Sequence, residues 1–504
     1  MPFLNSVLSW LTTKRLQEIK LYSTYGPEIQ RETLFKLLNY SKGTEIGKKY
    51  SFESIVNEKE YAAAVPLSDY NMLKPTIDRI RCGEQNLLWP TAIKWFAKSS
   101  GTTQDKSKFI PVSKESLEDC HFRGGKDVVV IYTNNYPDNS LLFGKTLVLG
   151  GSHQISNMNS DSFFGDLSAI LIQNMPFWAQ FYSLPDQSIA LMDEWEQKIE
   201  LMAKTTIQEN VKQITGVPSW TLVLLNKVLE LTKAKNIHEV WPGLELFVHG
   251  GVSFKPYKEQ FKKLLPSANM RYLETYNASE GFFAIQDDPE TDDMLLMLDL
   301  GIFYEFIPFE EIEKQHPETL ILSEVELNKN YAIVITTNSG LWRYLIGDTV
   351  LFTSRNPYKI KITGRVKQYI NVFGEELIVD NAENALQVAT TRTNSNIREY
   401  TVAPLYMGDK KQGAHQWIIE FINPPTDLIH FMEILDNELK SLNSDYEAKR
   451  YKNMALDFPN LIHAKEGTFY NWLKSNGKLG GQHKVPRLSN DRTYADSIIK
   501  FLNG

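Results

Sequence analysis

Ser99, Ser100, Gly101, Thr102 and Thr103 stand in a row, four hydroxyls around one glycine, with Lys106 and Lys108 just beyond. Small polar residues at that density make either a tight turn between strands or a loop that holds oxyanions, Gly101 leaving the backbone free to aim its N–H groups at a phosphate. The spacing Gly-x-x-x-x-Gly-Lys-Ser/Thr is absent, which disfavours a P-loop NTPase. A second stretch, Tyr276-Asn277-Ala278-Ser279-Glu280-Gly281, puts a hydroxyl beside a carboxylate at the end of a strand-like run. There Ser279 is fit to donate to a phosphate oxygen and Glu280 to hold Mg2+, a cation that takes oxygen ligands and bridges nucleotide phosphates. The same pair would also serve to cap a helix start.

Three further pieces lie at wider spacing. Gly250-Gly251 ends the run Leu244–Gly251, where missing side chains leave room for an adenine ring on the backbone; a β-bulge is equally compatible. Asp348 follows a glycine turn, a place from which one carboxylate can accept from both ribose hydroxyls, and Arg365 offers a second ribose or phosphate contact. Near the end, Lys484 follows Gly480-Gly481 and supplies a cation for a reacting phosphate.

The elements that must position these groups change character along the chain. Through about Tyr70 the apolar spacing is helical, with Leu16, Ile19, Ile29, Leu34 and Leu37 as buried stripes. Short β-branched runs then follow at 128–132, 146–152, 244–251, 271–279 and 331–340, several ending in Gly, Ser or Asn as strands do when they feed functional loops. Helical text between them, at 167–184 and 193–214, predicts a layered α/β domain with parallel strands. From Met294 to Thr363 the chain is strand-rich, and an antiparallel, barrel-like portion of the same domain is expected. Beyond it, a helix at 381–389, strands at 399–407 and 416–423, and a long helix from Asp427 form a small α+β unit. In that long helix Leu428, Phe431, Leu435, Leu439, Leu442 and Tyr446 form one buried stripe.

Composition narrows the function classes. At 504 residues and 42% hydrophobic content the chain is long enough for a large core and more than one domain. Its net charge of −7, from 54 basic and 61 acidic residues, gives no broad cationic field, so neither nucleic acid nor an anionic membrane is an expected partner. Cys82 and Cys120 form no metal-ligand or redox spacing and read as two reduced core thiols of a cytosolic protein. The start lacks signal-peptide features and its apolar face is expected to pack as an amphipathic helix; no run reaches the ~18 apolar residues of a membrane span. Without a heptad seam, a monomer is the default expectation.

The order of the pieces is more specific than any one of them. A Ser/Thr/Gly loop, a Gly-Gly strand end, Tyr-x-x-Ser-Glu, Gly-Asp, Gly-Arg-x-Lys and a C-terminal lysine together resemble the adenylate-forming superfamily of acyl-CoA synthetases and peptide-synthetase adenylation domains. Within it the chain is most similar to the auxin-responsive acyl-acid amido synthetase family, in its bacterial branch. The likeness runs over nearly the whole chain, including Leu37–Phe52, Val65–Ile80 and Ser107–Leu117.

That resemblance implies a reaction and a set of roles. A carboxylic acid attacks the α-phosphorus of Mg·ATP, pyrophosphate leaves, and an amine, an amino acid in this family, takes the acyl group from the adenylate to give an amide and AMP. Ser99 to Thr103 would hold the pyrophosphate portion, Ser279 the α-phosphate and Glu280 the metal. Gly250, Gly251, Tyr276, Asn277 and Ala278 would line the nucleotide, Asp348 and Arg365 the ribose, and Lys484 would stabilise charge during attack. Lys367 falls where superfamily members pivot a mobile C-terminal lid, which sets the expected domains at 1–367 and 368–504. The chain departs from its plant relatives at Gln104-Asp105-Lys106, where those have glycines, and its terminal lysine lies in His-Lys-Val-Pro-Arg. The acyl pocket is expected between Cys120 and Phe181, with Arg123 a candidate to meet a carboxylate and Phe177 and Trp178 candidates to stack on a ring; for each, a purely structural role is the competing reading. The competing functions are an acyl-CoA ligase, with a thiol as acceptor, and a nucleotide-binding sensor without turnover.

Overall fold

A computed structural model describes residues 12–503 apart from 100–107, 151–155, 160–161, 193, 252–253, 255–256, 367–368, 371–376, 406–412, 444–445, 448–449, 451–455, 478–484 and 490. The chain divides into two compact units. The first comprises Met1–Gly101, Asp105–Val252 and Leu264–Lys361; the second comprises Thr102–Gln104, Ser253–Lys263 and Ile362–Gly504.

In the first unit the early helices begin on capping side chains, Thr44 accepting from the Gly47 amide, Asn57 from Glu60 and Asp69 from Met72. Each such cap contributes about 1 kcal/mol by satisfying an otherwise orphaned N–H. The helix Tyr22–Ser41 buries Leu34, Leu37 and Leu38, and Gln30 ties it to the sheet by donating to the carbonyls of Leu298 and Ile302 and accepting from the Tyr304 amide. These side chains share one core with the apolar residues of the strands.

That sheet has twelve strands among the described residues. Its parallel half runs Ser183–Leu184, Lys145–Val148, Val211–Gly216, Leu246–Gly250, Arg271–Ala278. Gly281–Ile285 then pairs antiparallel with Arg271–Ala278, and the strand-rich stretch continues the same sheet through Met294–Leu296, Tyr358–Arg365, Tyr344–Arg355, Asn330–Thr337, Ile302–Pro308 and Leu320–Ile321. Arg271–Ala278 is therefore the strand on which the sheet changes from parallel to antiparallel pairing. A separate four-stranded sheet holds Lys108–Val112, Trp95–Ser99, Ser162–Gly165 and Ser156–Asn159.

Three segments and one side chain differ from the reading of their sequence. The text at 167–184, read as helical, holds the helices Leu167–Gln173 and Phe177–Gln180 and then the strand Ser183–Leu184, and Cys82, read as a core thiol, is exposed. The run 128–132 lies in a helix, Arg123–Asn135, not a strand: its β-branched residues pack Val128, Val130 and Ile131 into the core, so burial outweighs the intrinsic strand preference. The helical text at 193–214 divides into a helix, Trp195–Thr206, and a strand, Val211–Gly216, which fills the sheet between two parallel neighbours.

In the second unit a three-stranded sheet, Asn396–Leu405, Ala414–Asn423 and Asn460–Ala464, separates two cores. Strand alternation sends Trp417, Ile419 and Phe421 to one face, under the helices Val379–Thr393 and Leu428–Leu442, and Ile418 to the other, with Phe469, Trp472 and Ile498. Tyr446 is buried as expected but lies past the end of the helix, its hydroxyl donating to Asp436 at 2.7 Å.

Candidate active site

The strand Arg271–Ala278 brings the most informative residues together. Ser279 and Glu280 form the two-residue turn that joins it to Gly281–Ile285, with Ala278 paired to Gly281 and Asn277 to Phe282. They cap no helix. Both are buried, at 5% and 8% exposure, and Ser279 Oγ has no hydrogen-bond partner among the described residues. A buried hydroxyl left without a partner costs on the order of 1–3 kcal/mol; Ser41 and Ser162 are left so too among the described residues, and Ser279 differs from them in standing at the carboxyl end of the direction-changing strand.

Tyr276 and Asp348, 72 residues apart, meet in a buried hydrogen bond, the phenol donating to Asp348 Oδ2 at 2.6 Å. The strand carrying Asp348 is irregular at this point. Leu345 pairs with Val334 and Thr349 with Ala332, so Ile346, Gly347 and Asp348 all lie opposite Ile333. Gly347 takes φ +91°, which a side chain would resist, and the resulting bulge turns Asp348 toward Tyr276. Gly250 ends its strand without a bulge, in continuous register with Arg271–Ala278; a Cβ there would stand 2.4 Å from the Thr275 carbonyl oxygen. Close strand approach thus accounts for Gly250, while Gly251 is exposed with φ +77°.

On the other side of the hairpin a π-helical turn, Ser116–Phe122, precedes the helix Arg123–Asn135. Three contacts hold it there. The Phe282 amide donates to Cys120 Sγ at 3.2 Å, His121 Nδ1 lies 3.1 Å from Asn277 Oδ1, and Gly124 is so close to the Phe282 ring that a Cβ would be 2.5 Å from it. Burial lowers His121 to about 4, against which the Asn277 bond raises it, and pushes the Cys120 thiol up to about 12. His121 is therefore neutral near pH 7 and Cys120 an unreactive thiol.

Other expected residues resolve differently. Arg123 does not offer a free charge to a substrate carboxylate: its guanidinium donates to Asp299 Oδ2 at 2.8 Å, in a cluster where Arg15 also bonds Asp127 and Asp299. Phe177 is 74% exposed and stacks edge-on against Phe181, so it lines no enclosed pocket. Arg365 ends the strand Tyr358–Arg365 and is half-buried. Ser99 pairs through its backbone with Lys108, so two antiparallel strands bracket the hydroxyl loop. Ser100, Gly101, Thr102, Thr103, Lys367, Lys484 and the amphipathic start lie outside the described residues, as do the side chains of Ser99 and Trp178. His121 was not singled out from sequence, since nothing local links it to Asn277, 156 residues away. Among the described residues no helix is long and apolar enough to cross a membrane.

The chain matches the GH3 family N-terminal domain over residues 15–270, the central domain over 295–365 and the C-terminal domain over 380–493. It is similar to a jasmonoyl–L-amino acid synthetase, JAR6, of Nicotiana attenuata, at 23% identity over 97% of this chain and 95% of that one. Among solved structures it superposes on the GH3.15 acyl acid amido synthetase with a TM-score of 0.79 and 16% identity, covering 97% and 95% of the two chains. A 2-hydroxyisobutyryl-CoA ligase in its postadenylation state, bound to its acyl-AMP, follows with a TM-score of 0.60 and 12% identity over 94% and 91%.

Proposed function

We propose, from the premise that this chain belongs to the GH3 family, that it is an ATP-dependent, AMP-forming ligase joining a carboxylic acid to the amino group of an amino acid. The acid's carboxylate displaces pyrophosphate from ATP to give an acyl-adenylate; the amine then attacks the acyl carbon, AMP leaves, and the amine proton passes to solvent. Binding and positioning supply most of the acceleration in such a sequence.

The observation that carries the reading is the partnerless, buried Ser279 hydroxyl in the turn beside Glu280. In this assignment Ser279 donates to the α-phosphate and Asp348, held by Tyr276, accepts from the ribose. Glu280 fits Mg2+, which is commonly held by one or two carboxylates plus the substrate's own phosphates. The ion, when bound, neutralises phosphate charge. The loop Ser99–Thr103, with Gly250, Gly251, Ala278 and Arg365, completes the nucleotide site, and Lys484 meets the charge that develops on attack. The proposed lid is 368–504, pivoting at Lys367, in a monomer that works in the cytoplasm.

ATP–pyrophosphate exchange with pooled carboxylic acids, without amine or CoA, tests the first half-reaction. Acid-dependent exchange is expected; ATP binding without exchange would leave a sensor. Adding an amino acid pool or CoA then identifies the acceptor: amide product is expected, and a CoA-thioester would make the protein an acyl-CoA ligase, as one fold neighbour is.

A further inference from the structure

The hairpin strand has two faces, and Asn277, expected from the resemblance to line the nucleotide, lies on the one away from Asp348. Tyr276 points to Asp348, on the proposed nucleotide side. Asn277, the next residue, points to the opposite face, where its cross-strand partner Phe282 packs on Gly124 and where His121 waits. His121 is buried at 4% exposure, whereas Asn277 is half-buried. Because a carbonyl oxygen only accepts, the 3.1 Å contact requires the proton on His121 Nδ1 and leaves Nε2 bare. Nε2 has no partner among the described residues, so the ring makes its one hydrogen bond to Asn277. With Oδ1 engaged by the imidazole, the Asn277 amide is fixed with Nδ2 turned away from it, and Nδ2 makes no hydrogen bond among the described residues.

The ring reaches this place through a π-helical turn, a geometry that costs hydrogen-bond quality and is found disproportionately at functional sites. A buried neutral imidazole needs an acceptor for its N–H, and here that acceptor is a half-buried amide two residues before the proposed phosphate-binding serine.

We propose that Asn277 donates through Nδ2 to the carboxyl group of the acid substrate, and that His121 is its positioning residue. The inference rests on the acid-adenylating reading. His121→Leu removes the donor at similar volume, His121→Asn restores an N–H near the place of Nδ1, and Asn277→Asp keeps the acceptor for His121 while removing the donor to substrate. In the exchange assay His121→Leu and Asn277→Asp should raise the acid KM about tenfold with the ATP KM within about twofold, and His121→Asn should recover most of that loss. An acid KM unchanged in His121→Leu, an ATP KM that rises equally, or His121→Asn as impaired as His121→Leu while folded, each overturns the positioning role. Should His121→Leu not fold, the other two variants carry the comparison. Imidazole 15N spectra of the wild-type protein should show the Nδ1–H tautomer for His121; the Nε2–H tautomer overturns the pair whatever the kinetics. Wild-type protein that exchanges with no acid fails the adenylating reading itself and takes the acid role of Asn277 with it, an outcome visible without any variant.

Discussion

Two buried polar constellations in the first unit are built to opposite ends. Around Arg343 every group is used: its guanidinium bonds Glu305 at 2.9 to 3.1 Å, the carbonyls of Ala62 and Val65 at 2.6 and 2.7 Å, and Thr319 at 2.7 Å. Around Asn277 and Ser279 the bonding stops short, with Ser279 Oγ and His121 Nε2 buried and partnerless among the described residues. Saturated networks fix a fold; unsaturated ones in a dry place keep free energy in reserve for whatever completes them. Residues of the first kind should therefore affect stability, and residues of the second kind activity.

The largest separation should come from Arg343→Ala, which strands Glu305 at 2% exposure with an unpaired charge. A loss of about 3–5 kcal/mol of folding stability is expected in denaturant titration; a loss under 1 would mean that the cluster is no anchor. Next, Ser279→Ala should lower ATP–pyrophosphate exchange by roughly 10²–10³, the usual effect of deleting one preorganised donor, with thermal stability unchanged or raised. A clear drop in melting temperature would place Ser279 with Arg343 as a structural group.

Acidity offers a third test. His121 binds its proton near pH 4 in the folded chain and near 6.5 when unfolded, so between those values the unfolded state holds more protons and stability falls as pH falls. From pH 7 to 4 wild type should lose up to about 3 kcal/mol more than His121→Asn, read from unfolding at each pH. Equal slopes would mean that His121 is hydrated in the folded protein. The smallest effect is expected from Tyr276→Phe, which removes one bond to Asp348 and should weaken ATP binding about fivefold, with the fold intact. No change in ATP affinity would detach Asp348 from the nucleotide site.

Much of the fold was legible because it rests on short-range periodicity. The stripe of Leu428, Phe431, Leu435 and Leu439 is a helix, with Leu442 exposed at its end, and the run 416–423 lies in a strand, Ala414–Asn423, buried on both faces up to Phe421. Where period and propensity disagreed, packing decided, as at Val128–Tyr132, whose residues favour strands yet lie in a helix. Of the candidate site, the residue types at Ser279, Glu280 and Asp348 were readable but not their settings: Ser279 and Glu280 form a hairpin turn and cap no helix, and the glycine turn expected before Asp348 is a bulge within the strand Tyr344–Arg355. Arg123 shows the limit: an exposed-looking arginine and one already paired with Asp299 have the same local sequence.

The sequence alone determined the family and the chemical vocabulary of the site, because motif order along a chain is one-dimensional information. Tertiary structure alone decided who meets whom. Tyr276 finds Asp348 only through a bulge in a strand 72 residues on, and His121 finds Asn277 only because Gly124 lets a π-helical turn settle on Phe282. Such pairings depend on strand register and close backbone approach, quantities that no local pattern of residues encodes.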